Sequence, residues 1–350
     1  MSFLDNLREV EPYVPGEQPT EEGIIKLNTN ECPYPPSPRV EKKMKLMDGE
    51  KYRLYPDYNG EPLRSAFAKY YGVDKEQVFV GVGSDDVLAT AFLTFFNSDK
   101  PVLFPDITYS FYDVWANLYR IPFKTCPLKD DFTIDEKDYL VENGGIVIPN
   151  PNAPTGIGVS AAFLEEIIKN NQDSVVIIDE AYVDFGGETV LPLIDKYENL
   201  LVVRTYSKSR AAAGIRVGYA FGSKTLINAM NAVKFSINSY TLNYPTLALG
   251  TEIIEDDEYF KELCHKVITD REWTKKELEK LGFSSLDSQS NFLFATHKDK
   301  PAKEIFEYLK TKKIYVRYFN KPRIDNRLRI TIGTREQMQA LVDTLKEYLG

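Results

Sequence analysis

Four short polar clusters in this chain combine residue types that can do chemistry together. Ser207-Lys208 ends the stretch "LLVVRTYSK", and Arg216 lies eight residues further on. Asp179-Glu180-Ala181-Tyr182 follows "VVII", Asn150-Pro151-Asn152 follows "GGIVIP", and Gly83-Ser84-Asp85 follows "VFVGV". A lysine just past a buried strand is a candidate amine nucleophile for a carbonyl group. A carbonyl cofactor such as pyridoxal 5'-phosphate needs that lysine, an anion for its ring nitrogen and a cradle for its phosphate. Lys208, Asp179 and the helix start at Ser84 and Asp85 are the candidates, with Ser207 and Arg216 supporting the phosphate. Each feature alone also reads as a solvated lysine, a strand end, a turn with its cap or an ion-pair arginine. Asp85 and Asp86 would repel phosphate unless they point away from it. The recurrence of such clusters at successive strand ends favours the cofactor.

The elements that must position these clusters alternate along the chain. Apolar β-type runs cover 78–82, 102–104, 145–149, 175–178, 200–203 and 217–221, with helical patterns at 84–96, 108–118 and 161–170. Near-continuous apolar strands between helices predict a mostly parallel central sheet sandwiched by helices, an α/β fold. Such sheets bind ligands beyond the carboxyl ends of their strands, where the polar clusters fall. The stretch 255–281 reads as one long charged helix bridging to a smaller α+β module. That module has strands at 291–295, 314–319 and 328–332 and helices at 303–310 and 335–348. Residues 1–40, with "NTNECPYPPSP", read as a draped N-terminal arm joining the small domain. The expected division is arm 1–40, large domain 41–260 and small C-terminal domain 261–350.

Composition removes other chemistries. A net charge of −9 argues against a nucleic-acid surface. The cysteines, Cys32, Cys126 and Cys264, have no paired spacing, so no disulfide framework or zinc ribbon is expected. Two histidines, His265 and His297, read as solvated surface and leave little room for a Ser-His-Asp triad or a His-built metal centre. The start, "MSFLDNLREVEP", is charged, and no apolar run reaches the roughly 18 residues of a membrane span. A cytoplasmic protein without membrane contact is expected.

The same residues carry a family resemblance. "KLNTNECPYPPSP", "YRLYPDYNGEPLRSAFAKYYGV", "VGSDD", "DITYSFY", "NPNAPTG", "IIDEAYVDF", "RTYSKSRAAAGIRVGY" and "LRITIGTREQ" span essentially the whole chain. They resemble the fold-type I pyridoxal-phosphate aminotransferases, class II branch, and within them the histidinol-phosphate aminotransferases. The resemblance implies that Lys208 forms the Schiff base, Asp179 partners the ring nitrogen and Tyr182 bonds the cofactor's phenolic oxygen. Tyr109 is similar to the ring-stacking aromatic, and Ser84, Asp85, Ser207 and Arg216 to the phosphate cradle. Tyr55 resembles a tyrosine lent to that cradle by a neighbouring subunit, which implies a homodimer. Arg329 is similar to the arginine that grips a substrate carboxylate, a task suited to its planar fork. Arg317 and Tyr13 resemble residues on the substrate's phosphate side, and equally read as an exposed edge-strand arginine and a packed arm anchor.

The chain departs from the family at Ala153, where an asparagine usually contacts the phenolic oxygen; either Asn152 shifts to reach the ring, or Tyr182 and water serve instead. A second departure, Arg210, reads as a surface charge. The implied reaction is transamination between L-histidinol phosphate and 2-oxoglutarate, a small-molecule amino donor and a keto-acid acceptor. It yields imidazole-acetol phosphate and glutamate, a step of histidine biosynthesis. The alternatives are an aromatic amino acid aminotransferase of the same branch and a phospho-amino-acid decarboxylase.

Overall fold

A computed structural model describes residues 2–350; Met1, the first residue of the expected arm, lies outside them. The central sheet has seven strands: Val78–Gly81 (β1), Val102–Pro105 (β2), Phe123–Cys126 (β3), Gly145–Pro149 (β4), Val176–Asp179 (β5), Leu200–Thr205 (β6) and Gly218–Gly222 (β7). Their order is β1-β7-β6-β5-β4-β2-β3. Every pair is parallel except those made by β7, which runs against both β1 and β6. The carboxyl ends of β1, β4, β5 and β6 therefore share one edge. The amino end of β7 meets them there, which brings Arg216 beside residues that follow the other strands.

The apolar runs are continuous because both sheet faces are covered. Val80, Ile148, Ile178 and Val202 point into one core, with Leu63, Phe67, Leu164 and Ile253 from the helices Glu61–Tyr71, Ala161–Asn170 and Tyr244–Glu255. Their sheet neighbours Phe79, Val147, Ile177 and Leu201 point the other way, against Leu88 and Phe92 of helix Ser84–Phe95 and Met230 of helix Lys224–Ile237. Each such side chain contributes about 1.5–3 kcal/mol by leaving water, so the sheet is a rigid platform for its edge.

Beyond helix Asp257–Lys280 lies a four-stranded antiparallel sheet, Arg317–Tyr318, Leu328–Thr331, Phe292–His297 and Phe283–Ser285, in that order. Helices Ala302–Thr311 and Arg335–Leu349 pack on it. The arm strand Ile25–Lys26 pairs in parallel with Ile314–Tyr315, and Leu27 enters the same core. Among the described residues no helix is long and apolar enough to cross a membrane.

Several boundaries differ from the sequence reading, each for a local reason. The expected strand 314–319 splits at Val316: its first half pairs with the arm, its second with Leu328–Arg329. The helix expected at 108 begins at Tyr112, and Thr108 instead ties the preceding turn to the neighbouring loop, its hydroxyl donating to Asn152 Oδ1 (3.0 Å). The long helix begins at Asp257, capped by Asp256, after a separate helix Tyr244–Glu255. Strand β3 was not expected; an edge strand with Lys124 and Thr125 exposed lacks the apolar signature of its neighbours. His297 is half-buried rather than solvated, its Nδ1 accepting the Asp299 and Lys300 amides, while His265 is exposed as expected.

Candidate active site

The sheet edge opens into a cavity of about 330 Å³ between the central sheet, the arm and the small sheet. Strand ends supply Ser84, Asp85, Asp179, Tyr182, Ser207 and Lys208, and the start of β7 adds Arg216. Tyr109 closes one side, Tyr13 comes from the arm, and Arg317 and Arg329 come from the small sheet. Eleven of the thirteen residues singled out in the sequence thus line one cavity; Asn152 and Tyr55 do not.

Lys208 Nζ donates to the Thr29 carbonyl (3.3 Å) and lies 5.8 Å from the centroid of the Tyr182 ring. Asp179 is buried, and its carboxylate accepts from Tyr112 Oη (2.9 Å) and the Ala181 amide (3.1 Å). Burial pushes its carboxyl up to about 6 against these two bonds, and no cation faces it among the described residues. A buried acid without a counter-ion suits a positively charged ring nitrogen.

A phosphate fits the other end. Helix Ser84–Phe95 presents the free amides of its first turn. Gly83, at φ +85, leaves the space that Arg216 uses: a Cβ there would sit 2.5 Å from Arg216 Nη2. Gly218 is needed for close approach, since its Cβ would stand 2.1 Å from the Gly83 carbonyl carbon. Thr205 Oγ1 lies 3.0 Å from Ser207 Oγ, 3.3 Å from the Val217 carbonyl and accepts the Ser207 amide (3.1 Å), which fixes the Ser207 turn at the cavity. Asp86 turns away, accepting the Val82 amide (2.8 Å), whereas Asp85 stays at the cavity, bonded by Tyr109 Oη (2.7 Å) and 3.8 Å from Arg216.

Across the cavity, Arg317 and Arg329 lie directly opposite each other on paired strands. Like charges so placed repel, and among the described residues neither makes an ion pair with a carboxylate. Arg329 donates to the Asn28 carbonyl (2.8 Å), its enclosed Nε has no partner, and burial lowers its pKa. Tyr13 stacks on Phe111 at 4.1 Å as a packed arm anchor and also faces the cavity.

One site residue needs correction. Asn152 is off the cavity: its amide donates to the Ile107 carbonyl (2.9 Å) and Thr155 Oγ1 (3.1 Å), and its oxygen accepts from Thr108. With every polar atom engaged in holding its loop, it cannot shift to the ring, and Ala153 forms the wall instead. Tyr55 is 82% exposed and stacks on Tyr240 at 4.6 Å, away from this chain's own cavity. Arg210 is likewise no surface charge: it is buried between Phe260 (3.5 Å) and Tyr70 (4.9 Å). The sequence reading missed Thr29, Asn30, Glu31 and Tyr112. The signal was present in "LNTNEC", a run of polar residues of which Asn28 and Asn30 are buried.

Residues 22–345 match the family model for class I and II aminotransferases. The histidinol-phosphate aminotransferase of Lactococcus lactis subsp. cremoris (strain MG1363) is 51% identical over 100% of this chain and 98% of its own length. That of Hydrogenovibrio crunogenus, histidinol-phosphate aminotransferase 1, is 53% identical over 96% of this chain and 95% of its own. A solved structure of the Sinorhizobium meliloti histidinol-phosphate aminotransferase, in complex with pyridoxal-5'-phosphate, superposes with a TM-score of 0.86. It covers 93% of this chain and 90% of that one at 21% identity, a likeness of fold.

Proposed function

The chain belongs to the class I and II aminotransferases, and from that premise we propose that it transfers an amino group from L-histidinol phosphate to 2-oxoglutarate. The products are imidazole-acetol phosphate and glutamate, and the reaction is a step of histidine biosynthesis. Relatives at about half identity along the full chain carry that activity in their names. The observation that supports it most is the opposed pair Arg317 and Arg329, two guanidiniums without carboxylate partners among the described residues. They suit substrates with an anionic group away from the amine: a phosphate on one, a second carboxylate on the other.

Pyridoxal 5'-phosphate, when bound, supplies an electron sink that stabilises the charge left as a proton departs from the donor's α-carbon. Lys208 Nζ would hold the cofactor's aldehyde carbon and, once displaced by the donor's amine, move that proton as base and then acid. Asp179 would keep a proton on the ring nitrogen, and Tyr112 orients its carboxylate. The backbone amides of Ser84 and Asp85, with Ser207 and Arg216, would hold the phosphate, and Tyr109 would cover the ring face. Arg329 would take the carboxylate of the acceptor, with Arg317 and Tyr13 toward the distal anion.

The proposal keeps the arm at 1–40, the cofactor-binding domain at 41–260 and the C-terminal domain at 261–350. It also includes a cytoplasmic homodimer. Free Cys32, Cys126 and Cys264 fit a reducing compartment. Tyr52, Tyr55, Tyr58, Ile237 and Tyr240 are exposed, with Tyr55 stacked on Tyr240; a second copy would cover them and carry Tyr55 to its partner's phosphate cradle.

The decisive comparison is kcat/KM for L-histidinol phosphate against phenylalanine. A preference of at least about 10²-fold for the phosphorylated donor is expected. Equal rates would favour the aromatic aminotransferase, and carbon dioxide release without a keto acid would favour the decarboxylase.

A further inference from the structure

Asn30 lies in the arm, 152 residues from Tyr182, and its Nδ2 donates to Tyr182 Oη at 2.9 Å. The other end of the amide is matched to its own partner. Thr331 Oγ1 accepts the Asn30 backbone amide (3.0 Å) and spends its own proton on Asn30 Oδ1 (2.9 Å). That leaves only the NH2 group to face Tyr182. The Asn291 side chain holds the Asn30 carbonyl (2.9 Å), and the residue sits in the left-handed region at φ +57, buried at 1% exposure. Such a backbone, tied from three sides, is a placed device rather than a loop accident.

Tyr182 therefore accepts a proton it did not supply, and its own hydroxyl proton has no protein acceptor among the described residues. That proton is free for the cavity, which Tyr182 and Lys208 both line. No side-chain amide competes for the position, because Ala153 forms the adjoining wall and Asn152 is committed to its loop.

We infer that Asn30 is a positioning residue that fixes the Tyr182 hydroxyl as a one-way donor to the cofactor's phenolic oxygen, supplying from the arm what an asparagine at position 153 would supply from the loop. The inference rests on the cofactor reading of the site. A donor aimed at that oxygen favours its unshared negative charge, and so lowers the pH at which the Lys208 linkage sheds its proton. Losing the donor, or losing its orientation, raises that pH.

The test is a spectrophotometric pH titration of the cofactor's visible band in the holoenzyme, with Asn30→Gly, Tyr182→Phe and the double variant. Glycine removes the side chain while accepting the positive φ, so the backbone is spared. Tyr182→Phe should raise the midpoint by about one pH unit, and Asn30→Gly by about half as much. Asn30→Gly should add nothing in the Tyr182→Phe background. A purely structural role would lower the thermal midpoint in both backgrounds and leave the titration where it was. An unmoved midpoint in Asn30→Gly, or a shift that persists without the tyrosine hydroxyl, overturns the proposal alone. Wild-type protein that takes up no cofactor would overturn the cofactor reading as well.

Discussion

Asp179 and Glu180 are neighbours in the chain, both carboxylates, both buried at the end of β5, yet they face opposite sides of it. Glu180 is saturated. Arg204 meets it at 2.7 and 3.0 Å, the Val190 amide at 2.7 Å and Thr189 Oγ1 at 2.8 Å, while Arg204 also stacks over Tyr71. Asp179 has one hydroxyl and one amide, no cation, and a carboxyl pushed up to about 6 by burial. Glu180 is paired within the protein; on the cavity side Asp179, Lys208, Arg317 and Arg329 lack ion-pair partners among the described residues. A buried charge left unpaired is costly, so the unpaired set marks where charges from outside the chain belong.

The comparison breaks most visibly at Asp179. Asp179→Asn should lower kcat on the order of 10³-fold, because a neutral amide cannot hold the ring nitrogen's proton. The thermal midpoint of the apoprotein should not fall. If turnover survives, Asp179 is as structural as its neighbour. Arg204→Ala should do the reverse: with Glu180 stranded in the core, stability should fall by about 3–5 kcal/mol in urea unfolding, while turnover per folded molecule well below the midpoint persists. Loss of activity without loss of stability would erase the distinction between the two sides.

The smallest effect concerns pH. The Asp179 carboxyl titrates at about 6 in the folded chain, above its ordinary 3.8. The folded state thus binds more protons than the unfolded state between these values, and stability falls as pH rises through that window. The apoprotein should lose up to about 3 kcal/mol between pH 4 and 6 from this group. Asp179→Asn should remove that slope in apoprotein unfolding curves, and cofactor should reduce it by bringing a counter-charge. An unchanged slope in the variant would mean that water or a neighbour already compensates the acid.

Much of this was legible without coordinates. β4, β5 and β6 announce themselves as apolar runs because both sheet faces are covered, and Asp179, Ser207 and Lys208 follow them directly. The parallel sheet then requires those ends to meet. Strand β3 was not legible, since an edge strand need bury only part of its surface. Arg210 was misread because charge argues for the surface unless aromatic faces are known to lie on both sides.

What local sequence determines here is periodicity, the apolar cores on either side of the sheet and the identity of the groups at each strand end. What only tertiary structure decided is pairing across long separations. The strand split at Val316 sets Arg317 opposite Arg329, the loop contacts withdraw Asn152, and the arm carries Asn30 to Tyr182. The reason is physical: burial preference is written residue by residue, whereas a hydrogen bond of about 3 Å between distant segments depends on where every intervening element packs.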